Sequence, residues 1–300
     1  MGGLFRHFLD FRSDLCYNSS KGGMQMSAYD HYDYDFGKVW TDVHVSYREG
    51  YSTSVTNFHK HAFYEINLIL TGNVRILLRD RTVDGTGCRI VLTRPGTPHY
   101  ILCRPDTLYS RIYLVFTHEF AADYFPEWPS FSALFGDHGS ILTPTPEQAE
   151  ICKTIIQQIK REPTPFRKRL LTYYLLSRLA DCADTQSSGS GSVPSFITDI
   201  LTHIEQNFSS PLTAADLAHR FHVGRTTLMT AFKKYTGSTL GDYLTHCRLR
   251  HAVSLLRDGS TVESAAEACG FSDASGLIRS FRRVFGMTPR EYLKNNDNLA

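Results

Sequence analysis

The sequence predicts an α+β multidomain chain: an antiparallel β-barrel carrying an α-helical hairpin, followed by an all-α domain of two helix-turn-helix units. Three observations predict it. Five short apolar segments between residues 39 and 116 are rich in β-branched and aromatic residues and punctuated by Gly- and Pro-bearing turns. Near residue 145 the apolar period changes from two to about 3.6. Between residues 212 and 289 one pattern is written twice, as LTAADLAHRFHVGRTTLMTAFKKYTGSTL (212–240) and TVESAAEACGFSDASGLIRSFRRVFGMTP (261–289).

A chain of 300 residues suits two domains, because single cores seldom grow far beyond ~250 residues. At 42% hydrophobic and 21% charged, the composition is that of an ordinary water-soluble protein. No apolar run approaches the ~20 residues that cross a bilayer. The opening stretch carries Arg6, Asp10, Arg12 and Asp14, which break the apolar centre a secretion signal needs. A cytoplasmic protein without a membrane partner is expected. The seven cysteines are scattered without CxxC pairs, which fits a reducing compartment and argues against a zinc finger. Net charge is only +2, and residues 194–300 hold 12 Lys/Arg against 10 Asp/Glu. Any affinity for nucleic acid must therefore come from local placement of charge.

In chain order, residues 1–30 show no clear period and read as an N-terminal arm. A barrel is expected over 31–140, with strands at 39–47, 63–70, 73–79, 88–94 and 109–116. A helical hairpin follows over 141–183, broken by Pro163 and Pro165. Ile151, Ile155 and Ile159 share one helical face, and Leu171, Leu175 and Leu179 another. These stripes are expected to hold two chains together. Residues 184–195, DTQSSGSGSVPS, have the composition of a flexible linker. Residues 196–300 read as helical throughout.

Within the repeated pattern, Ala218 and Ala266 are small residues where two helices cross, and Gly270 supplies a left-handed turn. Asp273 is placed to cap the second helix of the second unit. Leu228 and Phe232 in one unit, and Leu277 and Phe281 in the other, read as buried. His222 stands where the first unit would favour glycine, and Gly276 lies inside a helix at a cost of ~1 kcal/mol against alanine.

Residues 196–293 resemble the DNA-binding domain of the AraC/XylS family of transcription regulators. The stretches PLTAADLA, LMTAFKKYTG, YLTHCRLRHAVSLL, AACGFSD and FRRVFGMTPREY carry the resemblance. It implies that Thr226, Met229 and Thr230 approach bases from the first reading helix, and Ser275 and Arg279 from the second. Arg279 is the strongest candidate, since its planar fork matches guanine O6 and N7. Lys233, Lys234, Arg282 and Arg283 lie past the reading face and would grip phosphates. Arg248, on the connecting helix 239–257, takes a structural role.

In the first half, His59-x-His61 is followed by Glu65 and Gly72, and RPGTPHYI places His99 after a turn. These pieces resemble the two motifs of cupin barrels, which regulators of this family commonly use as sensors. Strand alternation points His59 and His61 the same way. With Glu65 and His99 they could complete a three-histidine, one-carboxylate metal set. The adjacency of Pro95 and Gly96 departs from the metal-binding form of the second motif, so no cofactor is assigned. The expected effector is a small polar metabolite, with sugars among the candidates, bound by His59, His61, Glu65, His99, Arg94 and Tyr113. Arg79, Arg111, Tyr64 and Tyr100 lie on or near the same strands.

The expected partners are thus double-stranded DNA, a small-molecule effector, a second copy of the chain and RNA polymerase. The rival is a metal-dependent cupin enzyme fused to a DNA-binding domain. No Ser-His-Asp arrangement, phosphate loop or HExxH string supports another catalysis.

Overall fold

A computed structural model describes residues 43–51, 58–79, 81–103, 107–182 and 191–297. The expected arm, the start of the first expected strand and most of the expected linker lie outside the described residues.

Among the described residues nine strands form two sheets facing each other, and the barrel they make is open at its sides. The first sheet has the order β1 (His44–Tyr51), β7 (Leu108–Phe116), β2 (Tyr64–Thr71), β5 (Arg89–Thr93), β8 (Ser140–Leu142). The second has the order β6 (Tyr100–Cys103), β3 (Asn73–Leu77), β4 (Arg81–Thr86), β9 (Gly191–Ser192). Side-chain alternation along β2 divides two environments. Ile66 and Leu68 join an outer core with the helices, while Ile69 joins Ile76, Val91 and Ile101 between the sheets. Glu65 and Asn67 share the inner face with Ile69, although both are polar and buried.

The outer core is covered by α1 (His118–Tyr124), α2 (Trp128–Ala133), α3 (Pro146–Arg161) and α4 (Pro165–Cys182). Helix α3 starts where expected because Thr145 and Gln148 form a reciprocal capping box. The hairpin stripe turns inward: Ile155, Ile159, Leu175 and Leu179 are buried against the first sheet, with Ile151 and Leu171 packed on them. Those residues are consumed by the fold and do not form an exposed seam. A different row faces out on α4, where Phe166, Leu170 and Tyr174 are 61%, 54% and 50% exposed. Their i, i+4, i+8 spacing puts them on one side of the helix.

The end of the expected linker is a strand, since Gly191 and Ser192 pair with Thr82 and Arg81 of β4. Seven helices follow: α5 (Ser195–Asn207), α6 (Ala214–Arg220), α7 (Arg225–Thr236), α8 (Leu240–Arg257), α9 (Val262–Ala268), α10 (Ala274–Phe285) and α11 (Pro289–Asp297). Helices α6–α7 and α9–α10 are the two helix-turn-helix units. They have separate cores. Leu217, Leu228, Phe232 and Tyr243 belong to one, and Leu249, Ala266, Leu277 and Phe281 to the other.

The segment 208–210 joins the units mechanically. Arg248 donates from Nε to the Phe208 carbonyl at 2.7 Å and from Nη2 to the Ser210 carbonyl at 3.0 Å. Gly270 sits against the same segment with φ +74, and a Cβ there would lie 2.2 Å from the Ser209 carbonyl oxygen. In the first unit His222 takes the corresponding left-handed turn at φ 52. It is the one non-glycine residue among those described with positive φ.

Gly270→Ala is expected to cost about 3 kcal/mol or more, because backbone strain and backbone overlap add. Gly286→Ala, at φ +71 with nothing near its Cβ, should cost only ~1 kcal/mol. Urea unfolding of both variants checks this; equal losses would show that the 208–210 contact is not the constraint.

Candidate nucleic-acid interface and buried sensor cluster

Helix α7 buries Leu228, Phe232 and Thr236 and turns its other side to solvent. Thr226, Met229, Thr230, Lys233 and Lys234 are all exposed. Met229, Thr230, Lys233 and Lys234, with Thr239, line one open concavity. Helix α10 repeats the plan. Asp273 caps it by accepting from Gly276 N, Leu277 and Phe281 are buried, and Ser275, Arg279, Arg282 and Arg283 are exposed. Gly276 fits this cap, since a Cβ there would approach Ser272 Oγ at 3.2 Å and Asp273 Oδ1 at 3.4 Å. Each reading helix thus ends in two basic residues followed by a left-handed glycine, Gly237 or Gly286.

The histidines meet inside the first half. His59 and His99 form an antiparallel bridge, with backbone hydrogen bonds of 3.0 and 2.9 Å. Their rings lie 4.3 Å apart, and the His61 ring lies 5.1 Å from that of His99. Glu65 Oε2 is 2.8 Å from His61 Nε2 and 3.5 Å from His99 Nε2. Asn67 Nδ2 donates to Glu65 Oε1 at 2.9 Å and holds the carboxylate from behind. One ligand-type atom from each of His59, His61, Glu65 and His99 falls within 4.8 Å of the others.

Carbonyls fix two of the imidazoles. His61 Nδ1 donates to the Phe63 carbonyl at 2.9 Å, and His99 Nδ1 to the Thr97 carbonyl at 3.0 Å. A carbonyl can only accept, so both δ nitrogens carry hydrogen and both ε nitrogens face the centre. Burial lowers the His59 pKa well below its ordinary value, helped by the His99, His61 and Arg250 charges. Burial also lowers His61. At Glu65 burial pushes the pKa up, but the adjoining His61 and His99 imidazoles outweigh it and hold the carboxyl well below its usual range. Further along the inner face, Asn67 Oδ1 and Thr93 Oγ1 are buried without a protein hydrogen-bond partner, as is His99 Nε2.

Two expected ligand residues part company here. Tyr113 is buried on β7 opposite Asn67, with the Arg111 guanidinium 5.3 Å from its ring centre. Arg94 instead pairs with Asp137 at 2.9 Å and is partly exposed. It lies just past Thr93, which alternation turns inward, so its own side chain leads away from the cluster. Of the neighbouring residues, Tyr64 packs edge-on against Trp128 in the outer core, and Arg79 is exposed. Tyr100 points to the helical half, donating to the Thr236 carbonyl at 3.3 Å. Asn67 and Thr93 were not anticipated, although the Glu65-x-Asn67 spacing carried the signal for the first.

Comparison with known proteins gives the same division. Residues 44–176 match the AraC-like ligand binding domain, and residues 217–295 match a helix-turn-helix domain. The uncharacterized HTH-type transcriptional regulator YijO of Escherichia coli (strain K12) is 31% identical over 125 residues, 41% of this chain and 44% of that protein. The HTH-type transcriptional activator RhaS of Pectobacterium carotovorum subsp. carotovorum (strain PC1) is 32% identical over 122 residues, 40% of this chain and 43% of its own length. The chain thus spans less than half the length of these curated relatives. A structure of ToxT from Vibrio cholerae covers 84% of this chain and 98% of its own at 12% identity, with a TM-score of 0.39. With its ligand-binding and helix-turn-helix domains in that order, the chain belongs to the AraC family of transcriptional regulators.

Proposed function

We propose that this protein is a ligand-responsive, sequence-specific DNA-binding regulator of transcription. The observation that carries the reading is the duplicated surface. Two helices of equal length expose short polar side chains in the first half and paired cations toward the end, and α8 joins their units. One such face is common on a solvated helix, whereas two of them at a fixed separation suit successive major-groove segments of a duplex. Arg279, Ser275, Thr226, Met229 and Thr230 read bases in this arrangement. Lys233, Lys234, Arg282 and Arg283 hold phosphates.

The effector site is the space between the sheets. Asn67 Oδ1 accepts and Thr93 Oγ1 donates or accepts, so a hydroxylated metabolite, a sugar among them, satisfies both. Tyr113 adds an aromatic wall, and the His59, His61, Glu65 and His99 cluster closes the end. The protein acts as a regulator and not as an enzyme in this reading. A second copy docks on the exposed Phe166, Leu170 and Tyr174 row of α4, which pairs two tandem readers on direct or inverted half-sites. RNA polymerase is the downstream partner.

Three measurements test these assignments. Arg279→Ala should cost ~1–3 kcal/mol and relax preference at one operator position. Lys233→Ala should weaken all sequences about equally and lower the salt slope by about one. Selected-site binding with both variants decides; identical behaviour would sink the division of roles. Among sugars and polar metabolites, an effector should raise Tm by mass action, and Asn67→Ala should abolish the rise while leaving DNA affinity intact. Replacing Phe166, Leu170 and Tyr174 together by serine should shift sedimentation from dimer to monomer without lowering Tm; an unchanged sedimentation coefficient would exclude α4 as the interface.

A further inference from the structure

The barrel cluster and the first reading unit are two sides of one short piece of backbone. Residues 58–59 and 99–100 run antiparallel through the His59–His99 bridge. On one side the chain presents His59 and His99. On the other it presents Phe58 and Tyr100, which share a continuous apolar core with Ile197, Leu228, Phe232 and Tyr243 of the helical half. Phe58 N donates to the Tyr243 hydroxyl at 2.7 Å, and the Tyr100 and Tyr243 rings meet edge-on at 6.5 Å.

We propose that His59, His61, His99 and Glu65 bind one divalent late first-row transition-metal ion, and that the helical half senses this ion through Phe58 and Tyr100. The proposal deepens the reading of the barrel as the effector domain and rests on it. The ion takes the ε nitrogens and the carboxylate, leaving Asn67 Oδ1 and Thr93 Oγ1 to a metabolite.

Four features point to an ion. Donor atoms of three imidazoles and one carboxylate gather within 4.8 Å, a space for a single atom and too tight for an organic ring. Carbonyls at Phe63 and Thr97 orient two rings by their δ N–H groups, the support that ligating histidines ordinarily have. Asn67 steadies the carboxylate in the same manner. His99 Nε2, on a ring 2% exposed, faces the centre without a hydrogen-bond partner. Three nitrogens and one oxygen suit Zn²⁺, Ni²⁺, Co²⁺ or Fe²⁺ better than the all-oxygen preference of Mg²⁺ or Ca²⁺.

The ion's effect has a path outward. Arg250 on α8 is buried and pairs with Glu205 of α5, away from the bridge. The His59–His99 bridge leads to the last turn of α7, where Tyr100 reaches the Thr236 carbonyl, and Arg75 of the neighbouring strand β3 reaches the Lys234 carbonyl. Lys233 and Lys234, the phosphate-gripping residues, stand on that turn.

The test uses the full-length chain, stripped with chelator and titrated with Co²⁺. One equivalent should bind and give the visible d–d absorption of an imidazole-rich site. Glu65→Gln and His99→Ala should each weaken binding at least ~10-fold, with folding checked by circular dichroism. Hydrogen exchange with and without Zn²⁺ reads the coupling: amides of 58–59, 99–100 and 232–243 should gain protection. Tyr243→Phe should keep Co²⁺ affinity but lose the gain in 232–243. Substoichiometric uptake, or Glu65→Gln binding as tightly as the parent, overturns the site. Stoichiometric binding without change in 232–243 overturns the coupling. In either failure, DNA preference and the metabolite-induced Tm rise remain separately measurable, so the loss of this inference is distinct from the loss of the regulator reading.

Discussion

A strand has two faces, and the bridge at His59–His99 uses both. The His59 and His99 side chains point to one side while Phe58 and Tyr100 are built into the core of the first helix-turn-helix unit on the other. Interiors are packed at crystal-like density, so a displacement on one face is transmitted and not absorbed. The Phe58 N–H bond to Tyr243 removes the remaining freedom, because a buried donor without an acceptor costs ~1–3 kcal/mol. The sheet β6-β3-β4-β9 adds further ties. Leu102 fills the space above Gly237, where a Cβ would come within 2.6 Å, and Tyr235 donates to the Ser192 carbonyl at 3.2 Å. The sheets and the first helix-turn-helix unit consequently form one packed body.

The second reader is attached differently. Its core comes from α8, α9, α10 and α11 and contains no residue of the sheets. It follows the first through α8 and through the 208–210 segment, where Arg248 and Gly270 converge on consecutive carbonyls. This asymmetry decides where regulation can act. In the proposed reading a change at the barrel reaches α7 by direct contact and reaches α10 through α8 and the 208–210 segment. Arg250 lies in the middle of α8 and pairs with Glu205, which ties that helix to α5.

The sequence made the helical half readable because its determinants are local. Caps, crossing alanines, αL glycines and apolar periods each sit within a few residues of what they determine, and Asp273, Gly270 and Arg248 took their expected places. The convergence of His59, His61, Glu65 and His99 was also legible, since alternation sets the face and the turn at Pro95-Gly96 returns the chain. What failed was long-range. Apolar period shows that a face of α4 is buried but not by what, so Leu171, Leu175 and Leu179 passed for a seam while Phe166, Leu170 and Tyr174 went unread. Strands β4 and β9 are polar or only two residues long and borrow their conformation from partners. The Phe58–Tyr243 contact spans 185 residues, and no local pattern encodes it.

The small net charge becomes intelligible in this arrangement. A strongly basic domain would bind any duplex tightly through released counterions, and a modest change in geometry would then alter affinity little. Here the nine proposed contacts include only five cations, Lys233, Lys234, Arg279, Arg282 and Arg283, all exposed on two helix faces. With so few phosphate contacts, affinity depends on both faces meeting the duplex together. On the proposed contacts, a tilt of the first unit by a fraction of a helical turn would cost a large share of the binding energy, and through that sensitivity a buried cluster on the far side of two residues of backbone would control it.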